Sequence, residues 1–147
     1  MKNKPILIVA GETYGVFFEI FFKSIKTNKY KSPIILICSK KILLSQMKKF
    51  NFNKKINLLN QKNLEKIKID NKTINIINIA LQNSNTKKLK LKFRSNHIKK
   101  CFDVAFGLIR NQYTNKLING PINKKTFLNK KFLGVTEYIA SKFNKKK

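Results

Sequence analysis

The sequence predicts an α/β fold with a mainly parallel sheet and flanking helices. Two short apolar runs, residues 5–10 and 34–38, are rich in branched side chains, as is typical of strands buried on both faces. A segment with helical spacing follows each run, and strands continue to alternate with helices to the end of the chain. The 147 residues suit a single α/β domain over residues 1–147, because domains most often contain ~100–150 residues.

The N-terminal elements are separated by turn-forming residues. We expect strands over residues 5–10, 34–38 and 56–59, and helices over residues 16–26 and 40–49. Pro5 and Gly11 bound the first strand. Ser39 is expected to cap the second helix, because a serine hydroxyl accepts a hydrogen bond from the first helical turn.

The C-terminal elements follow the same alternation. We expect strands over residues 73–79 and 116–119, and an exposed strand or extended loop over residues 87–93. We also expect a short helical segment over residues 122–125 and a last helix from near Thr136 to the lysine tail at residues 145–147. The clearest helix has an apolar stripe from Ile98 to Ile109 and is expected to begin at a Ser95 or Asn96 cap.

The net charge of +27 suggests nucleic-acid binding, because lysines neutralise phosphates and release counterions. However, 31 of the 33 basic residues are Lys, and they are spread along the whole chain rather than gathered in one stripe. Lys, Asn, Ile and Phe have AT-rich codons, so a biased genome would produce the same composition. We therefore expect only non-specific binding to nucleic acid, and a small basic nucleic-acid-binding module is the alternative function.

The remaining composition limits other classes of function. Cys38 and Cys101 are far apart and form neither a disulfide framework nor a zinc site, so we expect a reducing cytoplasm. No apolar run reaches the ~20 residues that span a bilayer, and Glu12 and Glu19 interrupt any signal-peptide pattern. His97 is the only histidine, and we expect it on the surface.

Two loops that follow strands are candidate sites, because ligands of open α/β sheets bind beyond the carboxyl ends of the strands. Residues 11–15 (Gly-Glu-Thr-Tyr-Gly) form neither a dinucleotide-binding motif nor a P-loop, so a tight turn with a glycine at positive φ and a binding role both stay open. In residues 119–124 (Asn-Gly-Pro-Ile-Asn-Lys), Gly120 permits close backbone approach and Lys124 brings an ammonium suited to phosphate or carboxylate.

A third segment, residues 134–138 (Gly-Val-Thr-Glu-Tyr), opens the last helix. Thr136 is expected to cap that helix, and its hydroxyl could alternatively bind a ligand. Glu137 is one of only six acidic residues, so we expect either a local charge partner or a favourable interaction with the helix dipole in the first turn.

These three segments together resemble the 4-hydroxythreonine-4-phosphate dehydrogenase family. Residues 6–19 resemble its opening strand and Gly-Asp-Pro-x-Gly-x-Gly-Pro-Glu loop, residues 119–124 its Thr-Gly-Pro-Ile-x-Lys loop, and residues 134–140 its Gly-His-Thr-Glu-Phe-Leu-Ala segment. The resemblance implies a substrate contact at Thr136, with Lys124, Asn123, Gly120 and Glu12 as weaker candidates.

The resemblance implies part of an isopropylmalate-dehydrogenase-like α/β/α fold with two domains and an active site between them. It also implies oxidation of a phosphorylated hydroxy amino acid with NAD or NADP and a divalent metal, in pyridoxal phosphate biosynthesis, by a homodimer. It covers only the N-terminal half of the family, whose three metal-binding histidines lie beyond the position of Lys147.

The chain also departs from the family's motifs. Val135 stands where the family has a substrate-binding histidine, and a chain with one histidine cannot supply three metal ligands of that type. We therefore expect the isolated chain to be inactive. It would be a fragment or split-gene half completed by a C-terminal polypeptide, a decayed paralogue, or a domain reused for binding.

Overall fold

Five parallel strands form a single sheet with helices on both faces. A computed structural model describes residues 3–27, 29–81 and 91–144. The strands are β1 (Ile6–Val9), β2 (Ile34–Cys38), β3 (Ile56–Leu58), β4 (Ile74–Asn78) and β5 (Lys116–Asn119). The helices are α1 (Phe17–Thr27), α2 (Lys40–Lys49), α3 (Leu91–Arg110), α4 (Lys124–Phe127) and α5 (Val135–Phe143), with a 3-10 helix over Gln61–Lys66. The strand order β3-β4-β2-β1-β5 confirms the predicted parallel α/β fold.

The sheet lies between two hydrophobic cores, because successive side chains of a strand point to opposite faces. Leu7 and Val9 of β1 pack on the face covered by α3, α4 and α5. Ile8 of β1 and Ala10, which follows it, pack on the face covered by α1 and α2. Both faces of β1 are therefore buried, which explains why its sequence is a continuous apolar run.

Aromatic side chains fill much of both cores. On α1, Phe18 and Phe22 are one turn apart and both are almost fully buried against the sheet. On the opposite face, Phe102 of α3 lies 5.5 Å, between ring centroids, from Phe127 of α4. These rings anchor α1, α3 and α4 to the sheet, and with them the loops at its carboxyl edge.

Most predicted elements of the described residues are confirmed to within two residues. Ser39 caps α2 as expected, since its hydroxyl accepts a hydrogen bond from the N–H of Ile42 at 3.4 Å. The glycine at positive φ that was expected in residues 11–15 is Gly11, at 73°. The 3-10 helix over Gln61–Lys66 was not predicted; Asn60 caps it by accepting from the N–H of Lys62 at 3.0 Å.

The start of α3 contradicts two predictions. The helix already includes residues 91–93, so the predicted exposed strand or extended loop is wrong there, while residues 87–90 lie outside the described residues. Ser95 and Asn96 consequently lie inside the helix and do not cap it. The Lys-Leu alternation that suggested a strand continues directly into the first helical turn. Two or three residues there are too few to distinguish the two-residue period of a strand from the ~3.6-residue period of a helix.

The expected surface position of His97 is also wrong. This residue is only 8% exposed, and its Nε2 lies 2.9 Å from the carbonyl oxygen of Ile79. It faces the end of β4 because it is one helical turn before Cys101, which belongs to the apolar stripe of α3.

None of the helices in the described ranges is both long enough and apolar enough to cross a membrane. The predicted lysine tail at residues 145–147 lies outside those ranges.

Candidate functional site

The candidate site lies at the carboxyl ends of the neighbouring strands β1 and β5. The chain leaves β1 towards α1 on one face of the sheet and leaves β5 towards α4 on the other face. Such a change of direction between adjacent strands leaves a crevice, and ligands of open α/β folds bind in crevices of this kind.

The two loops at this crevice are joined by backbone hydrogen bonds. The N–H of Gly120 donates to the carbonyl of Val9 at 2.7 Å, and the N–H of Glu12 donates to the carbonyl of Pro121 at 2.8 Å. These bonds continue the β1–β5 pairing beyond the strands. Both loops therefore keep a fixed relative position before any ligand binds.

Glycine is required where the two loops meet. A Cβ on Gly120 would overlap the carbonyl oxygen of Ala10 and would lie 2.7 Å from Cδ2 of Phe17. A Cβ on Gly11 would overlap the carbonyl of Pro121, at a φ that already disfavours side chains. The close approach expected for Gly120 is therefore confirmed, and its partner is the loop that follows β1.

Glu12 connects three segments of the chain at the crevice. Its Oε1 accepts a hydrogen bond from the N–H of Asn123 at 3.3 Å, and its Oε2 lies 3.4 Å from Nη1 of Arg94. The side chains of Glu12 and Arg94 are only 15% and 19% exposed. The carboxylate thus holds the loops after β1 and β5 against the first turn of α3.

Arg94 was not predicted as a site residue. Its guanidinium carbon lies 5.6 Å from the ring centroid of Tyr14, a half-exposed residue of the loop after β1. Its Nε is buried and has no hydrogen-bond partner among the described residues. Composition could have indicated its role, because Arg94 is one of only two arginines among 33 basic residues. Arginine suits partly buried ion pairs better than lysine.

Asn123 and Lys124 begin α4 beside this ion pair. Asn123 caps the helix, because its Oδ1 accepts a hydrogen bond from the N–H of Thr126 at 3.3 Å. Lys124 follows as the first helical residue and its side chain is exposed. The structure therefore brings four of the five predicted site residues, Glu12, Gly120, Asn123 and Lys124, to one edge of the sheet.

Thr136, the fifth predicted residue, lies in the first turn of α5 and is exposed. Its predicted capping role is wrong, because Gly134 occupies the cap position. Within the described ranges, no hydrogen bond joins its side chain to the other four residues. The two segments instead meet through their apolar sides, where the ring centroids of Tyr138 and Phe127 are 5.0 Å apart.

The expected first-turn position of Glu137 is confirmed. It lies in the first turn of α5, and its Oε2 accepts a hydrogen bond from the N–H of Leu133 at 2.9 Å. This bond fixes the chain that enters α5 and therefore the position of Thr136.

The described part of the chain does not fit a metal ion, since it contains no group of three or more His, Cys, Asp or Glu side chains that could bind one. Cys38 and Cys101 are both buried free thiols. Burial raises the pKa of the Cys101 thiol to about 12, so it stays protonated at neutral pH. These thiols supply neither a metal ligand nor a nucleophile.

Comparison with known proteins identifies the fold. No protein-family model and no curated protein sequence matches the chain. Among solved structures, it is similar to a 4-hydroxythreonine-4-phosphate dehydrogenase from Burkholderia phymatum, with a TM-score of 0.78 and 19% identity over 95% of this chain and 43% of that one. It is also similar to the same enzyme from Klebsiella pneumoniae, with a TM-score of 0.75 and 18% identity over 95% of this chain and 44% of that one. The chain therefore has the fold of a portion of these dehydrogenases that spans less than half of their length.

Proposed function

We propose that the chain corresponds to the N-terminal part of an enzyme related to 4-hydroxythreonine-4-phosphate dehydrogenase and binds a phosphorylated hydroxy amino acid. The observation that carries the proposal is the crevice between β1 and β5, where Glu12 connects the two loops and α3. The shared fold and the resemblance of residues 119–124 and 134–140 to that family support the same substrate class.

The predicted residues have distinct roles in this proposal. The Thr136 hydroxyl donates a hydrogen bond to the substrate, and the Lys124 ammonium attracts its phosphate or carboxylate. Gly120 permits the close approach of the loops after β1 and β5 that forms the site, and the Asn123 amide is a further polar contact. Glu12 is a positioning residue, since both of its carboxylate oxygens already contact Asn123 and Arg94.

Oxidation of the substrate requires parts that these 147 residues do not supply. Their single histidine cannot provide the three histidine ligands implied by the resemblance. In the proposal, the divalent metal and NAD or NADP are held by residues of a complementing C-terminal polypeptide, and the assembled enzyme is a cytoplasmic homodimer. The chain alone then binds substrate without oxidising it.

Substrate binding can be measured by isothermal titration calorimetry of the chain with 4-phosphohydroxythreonine. We expect Lys124→Gln and Thr136→Val each to weaken binding about tenfold, since each removes one direct contact. Lys131→Gln is the matched control, because Lys131 is also exposed but follows α4 rather than beginning it. Equal weakening by all three variants, or no binding by the unmodified chain, would refute the proposed site.

Activity is tested separately by following NADH or NADPH formation. The chain alone should form neither with any divalent metal, whereas addition of a polypeptide that carries the missing histidines should restore oxidation. Oxidation by the chain alone would show that the proposed division of labour is wrong.

A further inference from the structure

A second concave surface lies at the opposite edge of the sheet from the candidate site. It is a groove of about 410 Å³ beside the amino ends of β2 and β4, where Ile34 and Ile74 begin these strands. Its volume falls within the ~300–1,000 Å³ of ordinary small-molecule sites. Neither the sequence motifs nor the proposed function uses this groove.

The described lining of the groove is positively charged. Four lysines contribute to it, namely Lys26, Lys29, Lys54 and Lys72, and no Asp or Glu side chain does. A second groove, beside Pro5 and Pro33, differs because Glu65 accompanies the lysines there. One carboxylate adjoins the first groove, since Asp70 Oδ1 accepts a hydrogen bond from the N–H of Lys72 at 2.9 Å. Because four lysines outnumber it, the first groove favours an anionic occupant.

One lysine is held in place by the framework of the groove. The Nζ of Lys54 donates to the carbonyl of Asn71 at 2.8 Å, which leaves two of its three N–H donors free of this bond. Asn71 is itself fixed, because its side-chain amide donates to the carbonyl of Ser32 at 2.9 Å and its Oδ1 accepts from the N–H of Ile34 at 2.9 Å. Lys54 is half-buried, so its side chain is already partly ordered in the free protein and loses less conformational entropy when a ligand binds.

The rest of the lining is apolar and aromatic. Phe21 and Ile25 of α1 line the groove together with Ile34 and Ile74, and Tyr30 also lines it with 38% of its surface exposed. Inorganic phosphate alone would leave this apolar surface uncovered. A ligand with a flat apolar ring beside its anionic group would cover it.

We propose that this groove binds a small aromatic phosphate monoester, with the phosphate at Lys54 and Lys72 and the ring against Ile25, Ile34 and Tyr30. The ligand class follows from the pairing of a lysine cluster with an apolar wall in one groove of small-molecule size. This site is independent of the candidate site between β1 and β5 and requires no second polypeptide.

The probe for this proposal is 1-naphthyl phosphate, titrated into the full chain by calorimetry and compared with 1-naphthol and inorganic phosphate. We expect the double variant Lys54→Gln, Lys72→Gln to weaken naphthyl phosphate binding by about tenfold or more. The control variant Lys41→Gln, Lys48→Gln makes the same change of net charge on the exposed side of α2 and should bind like the unmodified chain.

Each arm of the titration has a result that overturns the proposal. Equal weakening by both double variants would mean that only net charge matters, and equal affinity for inorganic phosphate would remove the role of the apolar wall. Lys72→Gln alone keeps the test valid if loss of the Lys54–Asn71 bond disturbs folding, because Lys72 is exposed. Lys124→Gln should leave naphthyl phosphate binding unchanged, which separates this site from the proposed substrate site.

Discussion

The carboxylate of Glu12 lies 3.4 Å from the guanidinium of Arg94, although 82 positions separate the two residues in sequence. The pair joins the loop after β1 to the first turn of α3, at the edge of the sheet where the neighbouring strand β5 also ends. Its position makes the geometry of the candidate site depend on contacts that lie outside the recognised motifs.

Glu12→Gln should destabilise the fold by about 1–3 kcal/mol, because it leaves a mostly buried arginine without its counter-charge. Urea unfolding followed by circular dichroism measures this loss. Glu19→Gln is the matched control, since Glu19 pairs with Lys23 at 2.7 Å but both side chains are well exposed, at 42% and 75%. The control should show a clearly smaller loss; losses of equal size would mean that the Glu12–Arg94 pair is no stronger than a surface pair.

Gly120→Ala should destabilise the fold by about 2 kcal/mol or more, since the added methyl group would overlap the carbonyl oxygen of Ala10. Gly107→Ala should instead stabilise it by about 0.5–1 kcal/mol, because Gly107 lies inside α3 with nothing within 4 Å of the added Cβ. Thermal unfolding of the two variants compares the same chemical change in two environments. Destabilisation of similar size at both positions would contradict the close contact of the two loops.

Stability should fall as the pH is lowered below 6.5, because burial lowers the pKa of His97 below that ordinary value. Between the lowered pKa and 6.5 the unfolded chain binds more protons than the folded chain, so protonation favours unfolding. Urea unfolding at pH 7.5 and 5.5 measures the difference in the free energy of unfolding. His97→Gln should reduce that difference, because His97 is the only histidine. An unchanged difference in that variant would assign the pH dependence to other groups.

Both cysteines should resist alkylation in the folded protein. Burial raises the pKa of Cys38 as well as that of Cys101, and thiols react as thiolates. Iodoacetamide labelling at pH 8, followed by mass spectrometry, should show slow modification in buffer and fast modification in urea. Fast labelling without denaturant would show that one of the two hydrophobic cores opens readily.

The sequence predicted the strands of the sheet well because their signal is local. In β2, five consecutive apolar residues between Pro33 and Ser39 allow few alternatives to a strand buried on both faces. The start of α3 was missed, because alternating Lys and Leu residues do not distinguish the first turn of a helix from a strand.

Site residues could be predicted from the sequence only where they belong to a recognisable motif. The position of Gly120 and of the residues after it, at the carboxyl end of a strand, could be predicted because a short strand and a Gly-Pro turn are adjacent in sequence. The contribution of Arg94 could not be predicted in this way, because it depends on how α3 packs across the sheet from a distant part of the chain. The burial of His97 is a similar case, since its partner is the backbone of Ile79 rather than a side chain.

The most direct test of the proposed function is an NMR titration of isotope-labelled chain with 4-phosphohydroxythreonine. We predict that the amide signals of Gly11, Glu12, Gly120, Lys124 and Thr136 shift together and saturate with one dissociation constant. Signals around Lys54 and Lys72 should remain unchanged at the concentrations that saturate the first group. Shifts confined to the groove at Lys54 and Lys72, or no shifts at all, would contradict a substrate site between β1 and β5.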